Sequence, residues 1–146
     1  MNKLVAEIDD FNSRALLSKP HIEYAEAIKM PYLMACCKEG MRLHPSVCLG
    51  LPRHTPPGGA TIADHFFPAG SRVSMNAAVI HYDQSIFGED AAQFNPDRWI
   101  DGDAAMMDRY MLNFGQGSRT CIGKNVSLIS VNFESAGPDD RTDLAG

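Results

Sequence analysis

The chain has 146 residues, with 13 lysines and arginines against 18 aspartates and glutamates, a formal charge of −5. With no basic run in the sequence, that balance argues against nucleic-acid binding as its main task. Its 45% hydrophobic and 21% charged residues are ordinary for a globular protein, and no stretch of eighteen apolar residues is present to span a bilayer.

In chain order, Leu4, Ile8 and Phe11 recur at helical spacing with Glu7 and Asp10 between them. They predict a short amphipathic, core-facing helix over residues 3–13, broken by Ser18-Lys19-Pro20. Residues 22–28 form a second short helical piece. Met30-Pro31 opens a longer helix, Pro suiting a first turn, which runs from Tyr32 to about Leu43 and stops before Pro45. Glu39 and Arg42 share one face of it; taken alone, such a pair is a solvated surface pair worth little. Residues 48–57 are irregular and Pro-rich, and Arg53 among them reads as a surface arginine.

Gly58-Gly59 begins a hairpin-like segment with extended pieces at 60–63 and 66–67. Pro68-Ala69-Gly70 turns the chain, and residues 72–76 alternate like a strand. Residues 77–82 have helical character, and the lone His81 receives no catalytic role. In Phe94-Asn95-Pro96-Asp97-Arg98-Trp99, Arg98 stands beside the single tryptophan. Residues 101–108 are an acidic, small-residue insert expected as an exposed meander. Ile129-Ser130-Val131-Asn132-Phe133 favours strand over helix. Residues 134–146, with five charges, one Pro, two Gly and no aromatic, read as a disordered tail.

The ten residues from Phe114 to Gly123 concentrate the chemistry. Glycines at this density let a backbone turn tightly and approach a ligand. Arg119 sets a fixed positive charge two residues before Cys121, beside a potential thiolate, which is the metal-ligating form. The plain alternative is a buried cysteine in a Gly-rich turn. The four cysteines lack CxxC or zinc-like His/Cys spacing, and the N-terminus acquires acid too early for a signal peptide, so reduced thiols are expected.

The spacing Phe-x-x-Gly-x-Arg-x-Cys-x-Gly at 114–123 resembles the haem-binding loop of the cytochrome P-450 superfamily, the haem-thiolate monooxygenases. Two further segments fall in the family's order. Glu39-x-x-Arg42 followed by Leu43-His44-Pro45 resembles its Glu-x-x-Arg helix. Residues 94–99 resemble its Phe-x-Pro-Glu-Arg-Phe/Trp segment, with Asp97 where Glu is commoner. The resemblance covers about residues 15–128 and is greatest to fungal members.

The resemblance implies a mainly α chain with a small β-sheet (α+β), the C-terminal part of the cytochrome P-450 fold and incomplete. A partial domain would cover 1–128, ahead of a divergent tail at 129–146. It implies Cys121 as axial ligand of haem iron, and Arg119 and Arg53 paired with haem propionates. Phe114 would pack near the thiolate, and Gly117 and Gly123 would allow the turn. Glu39, Arg42 and Arg98 would form a buried structural triad. A small mixed sheet would lie beside the haem, and a helix would begin beneath Cys121. No residue beyond the ligand is assigned a catalytic role. The implied reaction inserts one atom of dioxygen into a small organic substrate, with electrons from NADPH through cytochrome P-450 reductase. Longer relatives carry a membrane anchor and reside in the endoplasmic reticulum membrane; the anchor is expected to be absent from this chain. Two other readings stand beside this one: a truncated, catalytically inactive product, and an interaction module holding metal on Cys36, Cys37 and Cys48.

Overall fold

The computed structural model describes residues 2–19 and 21–135. Its first helix, α1 (Asn2–Ser13), turns Leu4, Ile8 and Phe11 onto a core of Ala27, Met30, Leu33 and Cys37. α1 stops earlier than Ser18-Lys19-Pro20. Ala15 takes a left-handed φ of 52°, the Leu16 N–H donates to the Phe11 carbonyl at 3.0 Å, and the Ala15 N–H donates to the Asn12 carbonyl at 3.0 Å. These two bonds are a Schellman closure, which satisfies carbonyls that a helix end leaves free.

After the single turn α2 (Tyr24–Ala27), Pro31 opens α3 (Pro31–Leu43). The free Tyr32 and Leu33 N–H groups donate to the Glu7 carboxylate at 2.8 and 2.9 Å. α1 therefore caps α3 with a negative charge at its positive end. α3 is buried on two sides. Leu33 and Cys37 belong to the core against α1. Ala35 packs in a second core with Phe87, Ala91, Trp99 and Met107, on the side where Glu39 and Arg42 are also buried.

The strands are short: β1 (Arg53–His54), β2 (Ala60–Ile62), β3 (His65–Phe67) and β4 (Arg72–Val73). They form two separate antiparallel ribbons, Arg53 opposite Val73 and Thr61 opposite Phe66, where the resemblance implied one small mixed sheet. Ala63 and Asp64 turn β2 into β3 with φ of 47° and 62°, the positive pair that a two-residue hairpin loop requires, without glycine. Buried Thr55 ties the β1–β4 ribbon, its Oγ1 donating to the Pro68 carbonyl at 2.5 Å and accepting the Ser71 N–H at 3.0 Å.

β4 is shorter than the strand expected over 72–76, because Asn76 serves as a helix cap. Its Oδ1 accepts the Ala78 N–H at 2.9 Å and starts α4 (Ala77–His81). Three single-turn helices follow, α5 (Gln84–Phe87), α6 (Arg98–Asp101) and α7 (Ala104–Asp108). α7 corrects the expected exposed meander: Asp103 caps it through the Met106 N–H at 2.9 Å, and Met107 is buried in the second core. α8 (Lys124–Ser135) corrects the strand expected over 129–133. It packs on α3 and α2, and that tertiary support outweighs the β-branched residues. The disordered-tail reading began at residue 134, but α8 runs on through Ser135, and the remainder of the tail lies outside the described residues. Among the described residues no helix is long and apolar enough to cross a membrane.

Candidate functional site

The second core carries a buried ion network. Glu39 and Arg42 are 0% exposed and Arg98 8%. Glu39 Oε1 lies 2.8 Å from Arg42 Nη2 and 3.1 Å from Arg98 Nε, and accepts the Asn95 N–H at 3.0 Å. Its Oε2 accepts from Arg42 Nε and Trp99 Nε1, both at 2.9 Å. Burial pushes the Glu39 carboxyl up, but the hydrogen bonds from Arg42, the Asn95 amide and Trp99, with the Arg42 charge, outweigh it and hold the group below the usual carboxylate range. Two cations on one carboxylate would leave an excess charge; Asp90, 2.9 Å from Arg98 Nη1, offsets it. Asp97 takes no part in the network and pairs with Lys3 at 2.7 Å.

The guanidiniums also gather the backbone. Arg42 Nη1 donates to the His81 and Ala91 carbonyls at 2.5 and 2.6 Å, and Arg98 Nη1 donates to the Phe87 carbonyl. His81, 0% exposed, uses both ring nitrogens. Nδ1 lies 3.0 Å from the Arg42 carbonyl, and Nε2 accepts the Leu112 N–H at 2.9 Å. A nitrogen that accepts an N–H carries no proton, so the ring is neutral with its proton on Nδ1. Next to Leu112, Asn113 Nδ2 donates to the Met41 carbonyl of α3 at 2.5 Å.

These two ties lead into the Phe114–Gly123 loop. The Cys121 N–H donates to the Phe114 carbonyl at 2.8 Å and closes it. Gly115 and Gly117 have φ of 65° and 71°, so Gly117 and the unanticipated Gly115 make the turn. Gly123 is outside the left-handed region, and a Cβ there would stand 3.8 Å from Cys121 Sγ, in ordinary contact. Residues Gly117–Arg119 form a 3₁₀ turn, and α8 begins at Lys124 with its ammonium 6.0 Å from the centre of the Phe114 ring.

Cys121, Arg119 and Phe114 line an open recess of about 600 Å³. The opposite wall is apolar: Val47, Leu49 and Leu51, then Ile62, Val73 and Met75. Arg53 lines the same recess from β1. Its side chain is exposed and donates to the Leu51 and Pro52 carbonyls at 3.3 and 3.1 Å. Sequence reasoning missed this wall and the residue that shapes it. A Cβ on Gly50 would meet Ser74 Oγ at 2.5 Å, so glycine lets the 47–51 segment close on the exit of β4. Asp90 was missed as well, and His81, given no catalytic role, is a buried side chain whose contacts join α3 to the loop.

The residues present fit a thiolate-held haem. One exposed thiol, two guanidiniums and apolar walls share a recess whose size is that of small-molecule sites. Among the described residues no three His, Cys, Asp or Glu side chains converge as metal ligands, so Cys36, Cys37 and Cys48 have no ligand set there.

Residues 1–133 match the family model described as Cytochrome P-450. The chain is similar to a cytochrome P-450 monooxygenase of Alternaria alternata, 41% identical over 129 residues that cover 87% of this chain and 34% of the relative. It is 40% identical over 133 residues to a cytochrome P-450 monooxygenase of Aspergillus flavus, covering 90% and 26%. It is also 40% identical over 111 residues to pisatin demethylase of Fusarium vanettenii, covering 76% and 22%. The chain thus spans between about a fifth and a third of the length of these relatives.

Proposed function

The chain belongs to the cytochrome P-450 family, and from that premise we propose that it supplies the haem-thiolate face of a monooxygenase acting on a small organic substrate. The observation that carries the reading is the placement of the Cys121 thiol and the Arg53 and Arg119 guanidiniums on one apolar recess. A haem bound through thiolate supplies iron whose electron density favours O–O cleavage.

The chain's own residues would bind, orient and screen that group. Cys121 Sγ is the ligand atom. The thiolate would sit ahead of the first turn of α8, whose free N–H groups favour negative charge. Arg119, and Arg53 after releasing the Leu51 and Pro52 carbonyls, would pair with carboxylates of the ligand. Phe114 and the 47–51 segment would screen the thiol from water once a ligand covers the recess. The Glu39–Arg42–Arg98 network holds the scaffold and touches no reacting atom. Electrons would arrive from NADPH through cytochrome P-450 reductase.

A second reading, an inactive product, is favoured by the openness of the recess, where Leu49 and Met75 are 81% and 62% exposed. Haem titration of this chain followed by reduction under carbon monoxide decides between them. Thiolate ligation gives a red-shifted Soret band, which Cys121→Ser abolishes and Cys36→Ser, Cys37→Ser and Cys48→Ser leave in place. If the band survives Cys121→Ser, the ligand assignment is wrong. If the wild-type chain takes up no haem, the inactive reading stands.

A further inference from the structure

We propose that His81 is the positioning residue that registers the Cys121 loop on the buried ion network, through its Nδ1–H bond to Arg42 and its Nε2 acceptor bond from Leu112. The proposal rests on the reading of Cys121 as ligand, and it concerns a side chain remote in sequence from the loop.

The chain of contacts is continuous. Glu39 fixes the Arg42 guanidinium through two bonds of 2.8 and 2.9 Å. The Arg42 carbonyl lies 3.0 Å from His81 Nδ1, and the Arg42 guanidinium holds the His81 carbonyl at 2.5 Å, so residue 81 is gripped at both side chain and backbone. His81 Nε2 then takes the Leu112 N–H at 2.9 Å. Leu112 is itself a wall of the recess, and its carbonyl accepts the Gly115 N–H at 3.0 Å, which sets the turn that carries Phe114. The Phe114 carbonyl in turn receives the Cys121 N–H at 2.8 Å. Each link is a directional hydrogen bond, so a change at the ring displaces Leu112 and passes to the loop. The Phe87 ring packs edge-on against the imidazole at 6.2 Å between centroids and prevents it from swinging.

The two ring nitrogens can be separated by substitution. In His81→Gln the amide oxygen reaches the place of Nε2 and still accepts from Leu112. In His81→Asn the shorter amide mimics Nδ1 and leaves the Leu112 N–H without an acceptor. Residue-resolved hydrogen exchange of the haem-free chain is the first readout, and the thiolate Soret fraction after haem loading the second. The expected result is about tenfold faster exchange at both Leu112 and Cys121 in His81→Asn, the order for one lost buried hydrogen bond, with a reduced thiolate fraction. His81→Gln gives up the Nδ1 bond but keeps an acceptor for Leu112 and the Arg42 grip on the residue 81 carbonyl, so it should stay nearer wild type than His81→Asn in both. The Asn113–Met41 tie is intact in both variants, so it serves as the internal control.

If Leu112 exchanges faster in His81→Asn while Cys121 exchange is unchanged, His81 holds only its own neighbour and the proposal is overturned. Equal loss in both variants assigns the effect to packing and also overturns it. Haem uptake by wild type without a thiolate band refutes the reading of Cys121 as ligand, and the exchange at Cys121 still decides the positioning role.

Discussion

Glu39 meets two guanidiniums and an indole N–H and is buried from bulk solvent, so removing its charge leaves the buried Arg42 guanidinium without a carboxylate partner. Glu39→Gln is expected to destabilise the chain by about 3–5 kcal/mol, the cost of breaking a buried pair from one side. Urea unfolding measures it. Lys3→Gln, which removes the exposed pair with Asp97, should leave the midpoint near wild type.

The same core makes stability depend on pH. Burial lowers the His81 pKa and the Arg42 charge lowers it further, while the bond to the Arg42 carbonyl opposes both. The unfolded chain therefore binds the imidazole proton more readily than the folded one, and stability rises with pH across the window between the two values. The contribution is complete above about pH 6.5, the unperturbed histidine value, and is lost as pH falls through the depressed folded value. At lower pH, Glu39 adds a second loss as its own depressed pKa is crossed. Urea midpoints taken from neutral pH down to about 5, below that unperturbed value, should fall in wild type and stay flatter in His81→Gln. Parallel curves would contradict the assignment. At this scale Glu39, Arg42 and Arg98 were legible through the family resemblance alone, because helical spacing and a neighbouring Trp by themselves read as a solvated pair and a surface charge. His81 and Asp90 were not. What matters in His81 is a pair of contacts 39 and 31 residues away, and local sequence does not encode those.

Among the elements, α3 was readable nearly to the residue because Pro31 starts it and Pro45 forbids its continuation. The ribbons were less so: β1 and β4 are two residues each, too short to show a period. α8 was read wrongly at 129–133 because intrinsic preference spoke against helix there and the packing on α3 and α2 is non-local. That conflict has a measurable consequence. From Lys124 to Ser130, Leu128 is half-buried and its neighbours are exposed, whereas α3 buries Leu33, Ala35, Cys37, Glu39 and Arg42. A helix with little buried surface and opposed propensity opens locally. Amides at 128–130 should exchange about 100-fold faster than those at 37–41, a gap within the span of local opening energies. Equal protection of the two helices would show that α8 shares the stability of the core.

For the whole molecule, the two cores lie on either side of α3, and part of the apolar surface left in the open lines the recess. Leu49, Met75, Leu51 and Ile62 line it and are exposed. Exposed apolar area of this kind marks a binding surface, and the charges on it, Arg53 and Arg119, are both cations. The surface thus suits an apolar ligand that carries acidic groups, the character of the haem proposed for it. Such a surface should bind a hydrophobic reporter dye in the free chain, and haem should displace the dye. Ligand that binds the folded state alone raises stability by mass action. At a hundredfold excess over its dissociation constant the gain is about 2.7 kcal/mol, or roughly 5–10 °C in midpoint for a chain of this size. Cys121→Ser should keep the dye signal, since the walls are unchanged, and lose most of the thermal gain. A chain whose dye signal and melting midpoint ignore haem would overturn the proposed function. A Cys121→Ser chain that gains as much as wild type would leave the recess as a haem site and remove the thiolate from it.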